Sequence, residues 1–75
     1  MQQTLEAYLK ANRDLPDPPM RRAIREAAGA SRVDVAAEVG VSKYAVMQWE
    51  QGTRFPSRRH VVAYARVLRE LRGVR

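Results

Sequence analysis

Apolar residues recur three and four positions apart along most of the chain, which is the spacing that places them on one face of an α-helix. The pattern predicts five helices, over about residues 4–13, 19–28, 32–38, 43–51 and 58–72. No segment alternates apolar and polar residues as a half-buried strand does, and the sequence contains no internal repeat or low-complexity tract. The sequence therefore predicts an all-α fold.

Capping and breaking residues indicate where these helices begin and end. The predicted N-cap residues each carry a hydroxyl that can accept an amide hydrogen bond, and they are Thr4, Ser31, Ser42 and Ser57. A glycine follows each of the last four helices: Gly29, Gly40, Gly52 and Gly73. Residues 14–19 include three prolines and cannot continue a helix. We therefore divide the chain into an N-terminal helix with a proline-rich linker, residues 1–19, and a helical domain, residues 20–72.

Each predicted helix has residues that we expect to face the core. On the first two helices these are Leu5, Tyr8, Leu9, Met20, Ala23, Ile24 and Ala27. On the third and fourth they are Val35, Ala36, Val39, Val46 and Trp49. The last helix has the widest apolar face, made of Val61, Val62, Tyr64, Ala65, Leu68 and Leu71. Because so short a chain buries only ~60% of its unfolded surface, we expect tight helix packing or a partner to contribute to stability.

Composition argues against several classes of function. The chain has no cysteine, which excludes a disulfide framework and a thiolate metal site. His60 is the only histidine, so no metal-binding set accompanies it, and no phosphate-binding glycine motif is present. We therefore expect a protein that is not an enzyme and that takes no cofactor, metal or small-molecule ligand. The N-terminus lacks a signal pattern and no apolar run is long enough to span a membrane, which favours a cytoplasmic location.

Charge is the strongest compositional signal. The net charge is +6 with a pI near 10.8, and twelve of the 14 basic residues are arginines. Residues 1–20 carry a net charge of −1 and residues 21–75 carry +7. Arginine suits bidentate pairing with phosphate, so nucleic acid is the first partner to consider and an acidic membrane surface the second. A solvated surface, rich in arginine through the coding bias of a GC-rich genome, is the remaining explanation.

The third and fourth helices are separated only by a short turn centred on Gly40. Gly40 can adopt the left-handed backbone that a sharp turn requires, and Ala36 is small where the two helices cross. Apolar residues on the inner side hold the crossing angle, and they are Val35, Val39, Val41, Val46 and Trp49. The outward residues of the fourth helix are Lys43, Tyr44, Met47 and Gln48. This arrangement is typical of a helix-turn-helix, in which the second helix enters the major groove.

The sequence around this turn resembles the XRE-type helix-turn-helix family, which includes phage repressors and Cro-like proteins. The matching positions are Arg25, Gly29-Ala30-Ser31, Ala36, Gly40-Val41-Ser42, Val46, Trp49-Glu50, Gly52 and Pro56-Ser57. The resemblance covers about residues 20–70. It implies a compact four- to five-helix bundle of the phage-repressor-like type, with the helix-turn-helix at about residues 32–51 and the N-terminal helix as an addition.

The resemblance assigns base contacts to the start of the recognition helix and to one residue a turn later. Carried over, these residues are Lys43, Tyr44, Ala45 and Gln48. Gln48 can pair with adenine, Lys43 can donate to guanine, and Ala45 can touch a thymine methyl group. Tyr44 departs from the small polar or amide residues common at its position, so it could bind a phosphate, stack on a sugar or pack outward. The alternative is that all four residues form only a solvated helix face.

The resemblance also implies backbone contacts and one structural ion pair. The phosphate-binding residues would be Arg32, Ser42, Gln51, Thr53, Arg54, Ser57, Arg58 and Arg59. Arg32 stands where the family often has glutamine. Cations at a helix N-terminus are opposed by the helix dipole, so Arg58 and Arg59 are easier to explain if an anion binds there. Arg25 and Glu50 would form an ion pair that holds the recognition helix, with Glu50 in a structural role.

These observations predict a sequence-specific, double-stranded DNA-binding transcriptional regulator, of the repressor or Cro-like kind found in phages and mobile elements. It would occupy an operator through the recognition helix, residues 43–51, in the bacterial nucleoid or a phage-infected bacterial host. A homodimer is expected, although many relatives use a fifth helix after the fourth for dimerisation and this chain ends at Arg75. The N-terminal helix could fill that space. The alternatives are an antitoxin or anti-activator module that binds a protein through the same basic surface, and a non-specific architectural DNA binder.

Overall fold

The structure, a computed structural model, describes residues 4–74 and contains five helices over that range. In chain order they are α1 (Leu5–Asp14), α2 (Pro18–Ala27), α3 (Arg32–Val39), α4 (Lys43–Gln51) and α5 (Arg58–Arg72). No strand occurs within residues 4–74, so the predicted all-α bundle is confirmed. The predicted ends differ from the observed ones by at most one residue, and those of α4 and α5 agree. Helix α2 starts slightly earlier than expected because Pro18 and Pro19 occupy its first two positions, where the missing amide costs no hydrogen bond.

The predicted caps act as expected at three helices. The hydroxyl oxygens of Thr4, Ser31 and Ser42 each accept a hydrogen bond from the backbone amide three residues later. At α3 the carboxylate of Asp34 also accepts from the Ser31 amide, which completes a capping box. Ser57 stands at the N-cap position of α5 without a side-chain capping bond, and its hydroxyl lies 3.1 Å from Nδ1 of His60.

The core lies where α2, α3 and α4 pack against α5. Its buried residues come from all four helices, and they are Ile24, Val35, Ala36, Val39, Val46, Trp49, Tyr64, Val67 and Leu68. The rings of Trp49 and Tyr64 lie 4.7 Å apart between centroids, at an interplanar angle of 47°. The inward residues predicted for α3 and α4 are therefore all buried. Val67 joins the core although it was not predicted, whereas Val62, Ala65 and Leu71 are only half-buried.

Helix α2 turns a different face inward from the one predicted. Met20, Ala23 and Ala27 are exposed, and the buried residues are Ile24 with Arg21 and Arg25. The expectation failed because it counted only apolar residues, while a buried arginine packs its aliphatic stem against the core and directs its guanidinium to polar partners. Here those partners are Trp49 and Glu50 of α4 and two carbonyls in the segments that flank α2.

Helix α1 packs along α5 through small residues. Ala11 is buried and Ala7 and Tyr8 are half-buried, whereas Leu5 and Leu9, which we expected to face inward, are exposed. Small side chains allow α1 to approach α5 closely, and this contact decides which face turns inward. The proposed domain division at residue 19 stays a prediction. No helix within residues 4–74 is long and apolar enough to cross a membrane.

Candidate nucleic-acid interface

The turn between α3 and α4 has the geometry that the sequence predicted. Gly40 has a φ of 87°, in the left-handed region, and its amide donates to the Ala36 carbonyl at 2.8 Å. The Val41 amide donates to the same carbonyl at 3.0 Å, and Ser42 then caps α4. Ala36 is buried where α3 and α4 pack together, and the side of α4 that faces away from the core is open to solvent.

The open side of α4 carries three of the four predicted base-reading residues. Lys43 and Tyr44 are exposed, with Tyr44 at 62%, and Gln48 is half-buried one turn later. The ammonium of Lys43 lies 5.4 Å from the centroid of the Tyr44 ring, within cation–π range. Ala45 differs from the other three because its partly buried side chain packs against the core. Its methyl group is therefore less accessible than the sequence suggested.

The C-terminal end of α4 leads into an exposed loop that carries several predicted phosphate contacts. Gln51, Thr53 and Arg54 are all exposed. The amides of Thr53 and Arg54 both donate to the Gln48 carbonyl, at 3.1 and 3.4 Å. These bonds hold the loop against the last turn of α4, beside Gln48.

The start of α5 follows the loop after α4 and carries the remaining predicted phosphate contacts. Ser57, Arg58 and Arg59 are exposed there. The guanidinium carbon of Arg58 lies 4.8 Å from the centroid of the Tyr8 ring on α1. Amides in the first turn of a helix lack intrahelical acceptors, so this end of α5 offers both cationic side chains and backbone donors to an anion.

A buried ion network joins α4 to α2 and α3. The Glu50 side chain is only 2% exposed, and Arg25 binds it through two nitrogens, Nε to Oε2 at 2.5 Å and Nη2 to Oε1 at 3.0 Å. Nη1 of Arg25 donates to the Ala30 carbonyl at 3.0 Å. Arg32 adds a third bond, from Nε to Oε1 at 3.0 Å, so the pair expected from the sequence is a three-residue network. The network fixes α4 relative to α2 and the start of α3.

Hydrogen bonding keeps Glu50 ionised in this network. Burial by itself would raise the pKa of Glu50, but the bonds from Arg25 and Arg32 outweigh burial, and the pKa of the carboxyl is lowered below its ordinary value. The bond to Glu50 correspondingly raises the pKa of Arg25. Arg32 was expected to bind phosphate. Its Nε is engaged by Glu50 while 34% of its side chain is exposed, so a phosphate contact through its remaining donors stays a prediction.

Arg21 is a buried residue that the sequence reasoning missed. Its Nη1 donates to the Trp49 carbonyl at 3.0 Å and its Nε donates to the Pro16 carbonyl at 2.6 Å. Burial lowers the pKa of Arg21. A cation at the C-terminal end of α4 is favoured by the helix dipole, and Arg21 satisfies a carbonyl of the last turn. The signal in the sequence is its position one turn before Arg25, on the same helix face.

Tyr64 lies close to these buried charges. Burial raises the pKa of Tyr64 to about 12, and its hydroxyl is buried without a hydrogen-bond partner among residues 4–74. Within residues 4–74 no three histidine, cysteine, aspartate or glutamate side chains come together as a metal site, and Nδ1 of His60 lies 3.1 Å from the Ser57 hydroxyl. The described residues thus hold α4 in place, with a polar outer face and with cationic side chains near both of its ends.

The sequence profile of a family described as "Helix-turn-helix domain" matches residues 22–75. The chain belongs to the helix-turn-helix domain family. This match confirms the predicted resemblance, and it runs from within α2 to beyond the end of α5 while leaving α1 outside. Neither a curated protein nor a solved structure matches the chain. In a helix-turn-helix domain the second helix of the motif binds DNA in the major groove, and here that helix is α4.

Proposed function

We propose that this helix-turn-helix protein is a sequence-specific, double-stranded DNA-binding transcriptional regulator that occupies an operator through α4. The proposal assigns it to the repressor or Cro-like regulators of phages and mobile elements, acting on DNA in a bacterial cell as a binding protein and not as an enzyme. The observation that carries it is the exposed face of α4, held rigidly by the buried Glu50 network and flanked at both ends by exposed cations.

Base readout is proposed for the outer face of α4. Gln48 can form a bidentate pair with adenine and Lys43 can donate to guanine acceptors in the major groove. Tyr44 lies within cation–π range of Lys43, which favours a role in orienting that side chain or in contacting the sugar-phosphate backbone. Ala45 is left with a minor part, a contact with a thymine methyl group, because its side chain packs partly against the core.

Backbone contacts are proposed for the residues that border this face. They are Arg32, Ser42, Gln51, Thr53, Arg54, Ser57, Arg58 and Arg59. Seven of the eight are exposed and Arg32 is half-buried, so phosphate oxygens can approach the set without a change of fold. Such contacts set affinity and orientation, whereas base contacts set specificity.

We propose that the protein acts as a homodimer, because one recognition helix reads only a few base pairs and regulators of this kind use two half-sites. An apolar groove of about 310 Å³ supports self-association. It is lined by Met20, Ala23, Ile24, Ala27, Leu71, Arg72 and Val74. The exposed α2 residues are the ones that the sequence pattern assigned to a buried face, and a second copy would cover them.

Selection from a randomised DNA pool, followed by sequencing of the bound duplexes, tests the main proposal. A pseudo-palindrome with half-sites about ten base pairs apart is the expected result. Enrichment of a single half-site would be consistent with a sequence-specific regulator and would contradict the proposed homodimer. If no sequence is enriched at a salt concentration low enough to retain protein on DNA, operator reading is refuted and an architectural binder remains.

A protein-binding function, as in an antitoxin or anti-activator, is the second candidate. One observation favours it: Phe55, in the loop after α4, is 78% exposed, and an exposed aromatic residue beside Arg54 suits a protein partner. Salt dependence together with a requirement for duplex DNA separates the two functions, because DNA binding through ~6–10 phosphates weakens ~10³–10⁵-fold between about 50 and 200 mM salt.

A further inference from the structure

Helix α1 precedes the matched helix-turn-helix region, yet it reaches the surface assigned to DNA. The family match begins at residue 22, and α1 ends at Asp14. The side chain by which α1 approaches that surface is Tyr8, whose ring lies under the guanidinium of Arg58 at the first position of α5. An element outside the family domain is thus in direct contact with a proposed phosphate-binding residue.

The Arg58 guanidinium lies close to the Tyr8 ring, and the helix that carries this ring packs against α5. The guanidinium carbon lies 4.8 Å from the ring centroid, well inside the roughly 6 Å over which a cation is attracted to an aromatic face. Tyr8 is half-buried, and the neighbouring Ala7 and buried Ala11 face α5 along the same side of α1. Thr4 caps the first turn by accepting from the Ala7 amide at 3.0 Å. These contacts hold the first turns of α1 against α5, with the Tyr8 ring beside the start of α5.

Stacking of this kind leaves an arginine able to bind an anion. A guanidinium uses its face against the ring, while its five N–H donors point outward in its own plane. Arg58 is exposed, and an exposed arginine samples many rotamers that a phosphate contact must restrict. A ring that restricts the guanidinium before DNA binds reduces the side-chain entropy that is lost on binding. Stacking also offsets the unfavourable placement of a cation at a helix N-terminus.

We propose that Tyr8 is a positioning residue that orients Arg58 toward a DNA phosphate, so that α1 contributes to the affinity of the DNA interface. The proposal rests on the function proposed above. It gives the N-terminal helix a role in binding in addition to its packing on α5, and it assigns that role to one aromatic side chain.

The test measures affinity of the full chain for a selected duplex by fluorescence anisotropy, over a series of salt concentrations. The variants are Tyr8→Leu, Tyr8→Phe, Arg58→Ala and the double variant with Tyr8→Leu and Arg58→Ala. Leu9→Ala is the matched control, since Leu9 is an exposed neighbour on α1. Thermal unfolding followed by circular dichroism verifies folding, and Tyr8→Met replaces Tyr8→Leu if the latter does not fold.

We expect Tyr8→Leu to weaken binding about 2- to 5-fold, the equivalent of an exposed cation–π contact. Tyr8→Phe retains the aromatic face and should bind as the wild type does, as should Leu9→Ala. In the Arg58→Ala background the Tyr8→Leu change should have no further effect. Arg58→Ala should also lower the salt slope by about 1, the loss of one phosphate contact. A role limited to packing α1 would change stability without this dependence on Arg58.

Several results would overturn the proposal. Unchanged affinity of Tyr8→Leu, or an effect that persists in full without Arg58, would show that Tyr8 does not act through that arginine. Tighter binding by Tyr8→Leu would show that the ring withholds Arg58 from DNA. If Arg58→Ala binds like the wild type, Arg58 touches no phosphate and the proposal fails while DNA binding stands. If the wild type binds no duplex, the proposed function itself fails.

Discussion

Replacing Arg25 with methionine tests the network that holds the recognition helix. The substitution keeps an unbranched apolar stem in a site where the Arg25 side chain is only 10% exposed, and it leaves the 2%-exposed Glu50 carboxylate without its bidentate partner. Removing one member of a buried ion pair costs about 3–5 kcal/mol. Since Arg32 still donates at 3.0 Å, we expect about 3 kcal/mol, or a fall in Tm of roughly 12–24 °C for a domain of this size.

Urea unfolding followed by circular dichroism and by the fluorescence of the single Trp49 measures this loss. The matched control is Arg22→Met on the same helix, because Arg22 pairs with Glu26 in an ion pair whose side chains are 57% and 53% exposed. Exposed pairs contribute ~0–1 kcal/mol, so the control should remain close to the wild type. Equal effects of the two substitutions would refute the argument that the buried network stabilises α4.

The pH dependence of the Arg25→Met effect gives a second check with a definite sign. The pKa of Glu50 is lowered in the folded wild type, so its stabilisation is present above the ordinary glutamate pKa and is lost as pH falls through the folded value. Without Arg25, the burial that opposes ionisation is less well offset, and Glu50 should protonate at higher pH. The stability difference between wild type and variant should therefore shrink in acid. A difference that grows in acid would contradict this mechanism.

The remaining predictions concern DNA binding and the buried phenol. Arg58→Ala should weaken binding to every duplex and lower the salt slope by about 1, which salt-dependent anisotropy measures; a loss confined to one sequence would contradict a phosphate contact. Gln48→Ala should relax preference at one or two base pairs in a repeated selection experiment, and an unchanged preference would remove Gln48 from the base-reading set. Tyr64→Phe removes a buried hydroxyl that has no partner within residues 4–74, so stability should be unchanged or rise by up to ~1 kcal/mol in urea unfolding, with Tyr44→Phe as the exposed control.

Local signals predicted the helices of this protein well. Capping hydroxyls at Thr4, Ser31 and Ser42 and left-handed glycines act within a few residues of the backbone groups that they satisfy. The apolar inward residues of α3 and α4 were also predicted, because they follow the helical period, and Glu50 is the one charged residue buried among them. Helix α2 begins one residue earlier than predicted, because its prolines could be read either as linker or as the first helical positions.

Side-chain burial was predicted less well where arginine or alanine decides the packing. The inner face of α2 contains Arg21 and Arg25, which a pattern of apolar residues treats as surface. Helix α1 turns Ala7 and Ala11 toward α5 and leaves its leucines outside, since close approach of the two helices favours small residues over large ones. In both cases the partner surface, and not the periodicity of the helix itself, selected the buried face.

The sequence by itself determined the five helices, the sharp turn between α3 and α4, and the polar outer face of α4. These features depend on backbone hydrogen bonds and on residues that are neighbours in the chain. Only the tertiary structure decided that Arg32 joins Arg25 on Glu50, that Arg21 reaches the Trp49 carbonyl 28 residues away, and that the Tyr8 ring lies beside the Arg58 guanidinium. The physical reason is that a long cationic side chain can form hydrogen bonds or ion pairs with many different acceptors. Which acceptor lies within its reach depends on how helices that are distant in the sequence pack together.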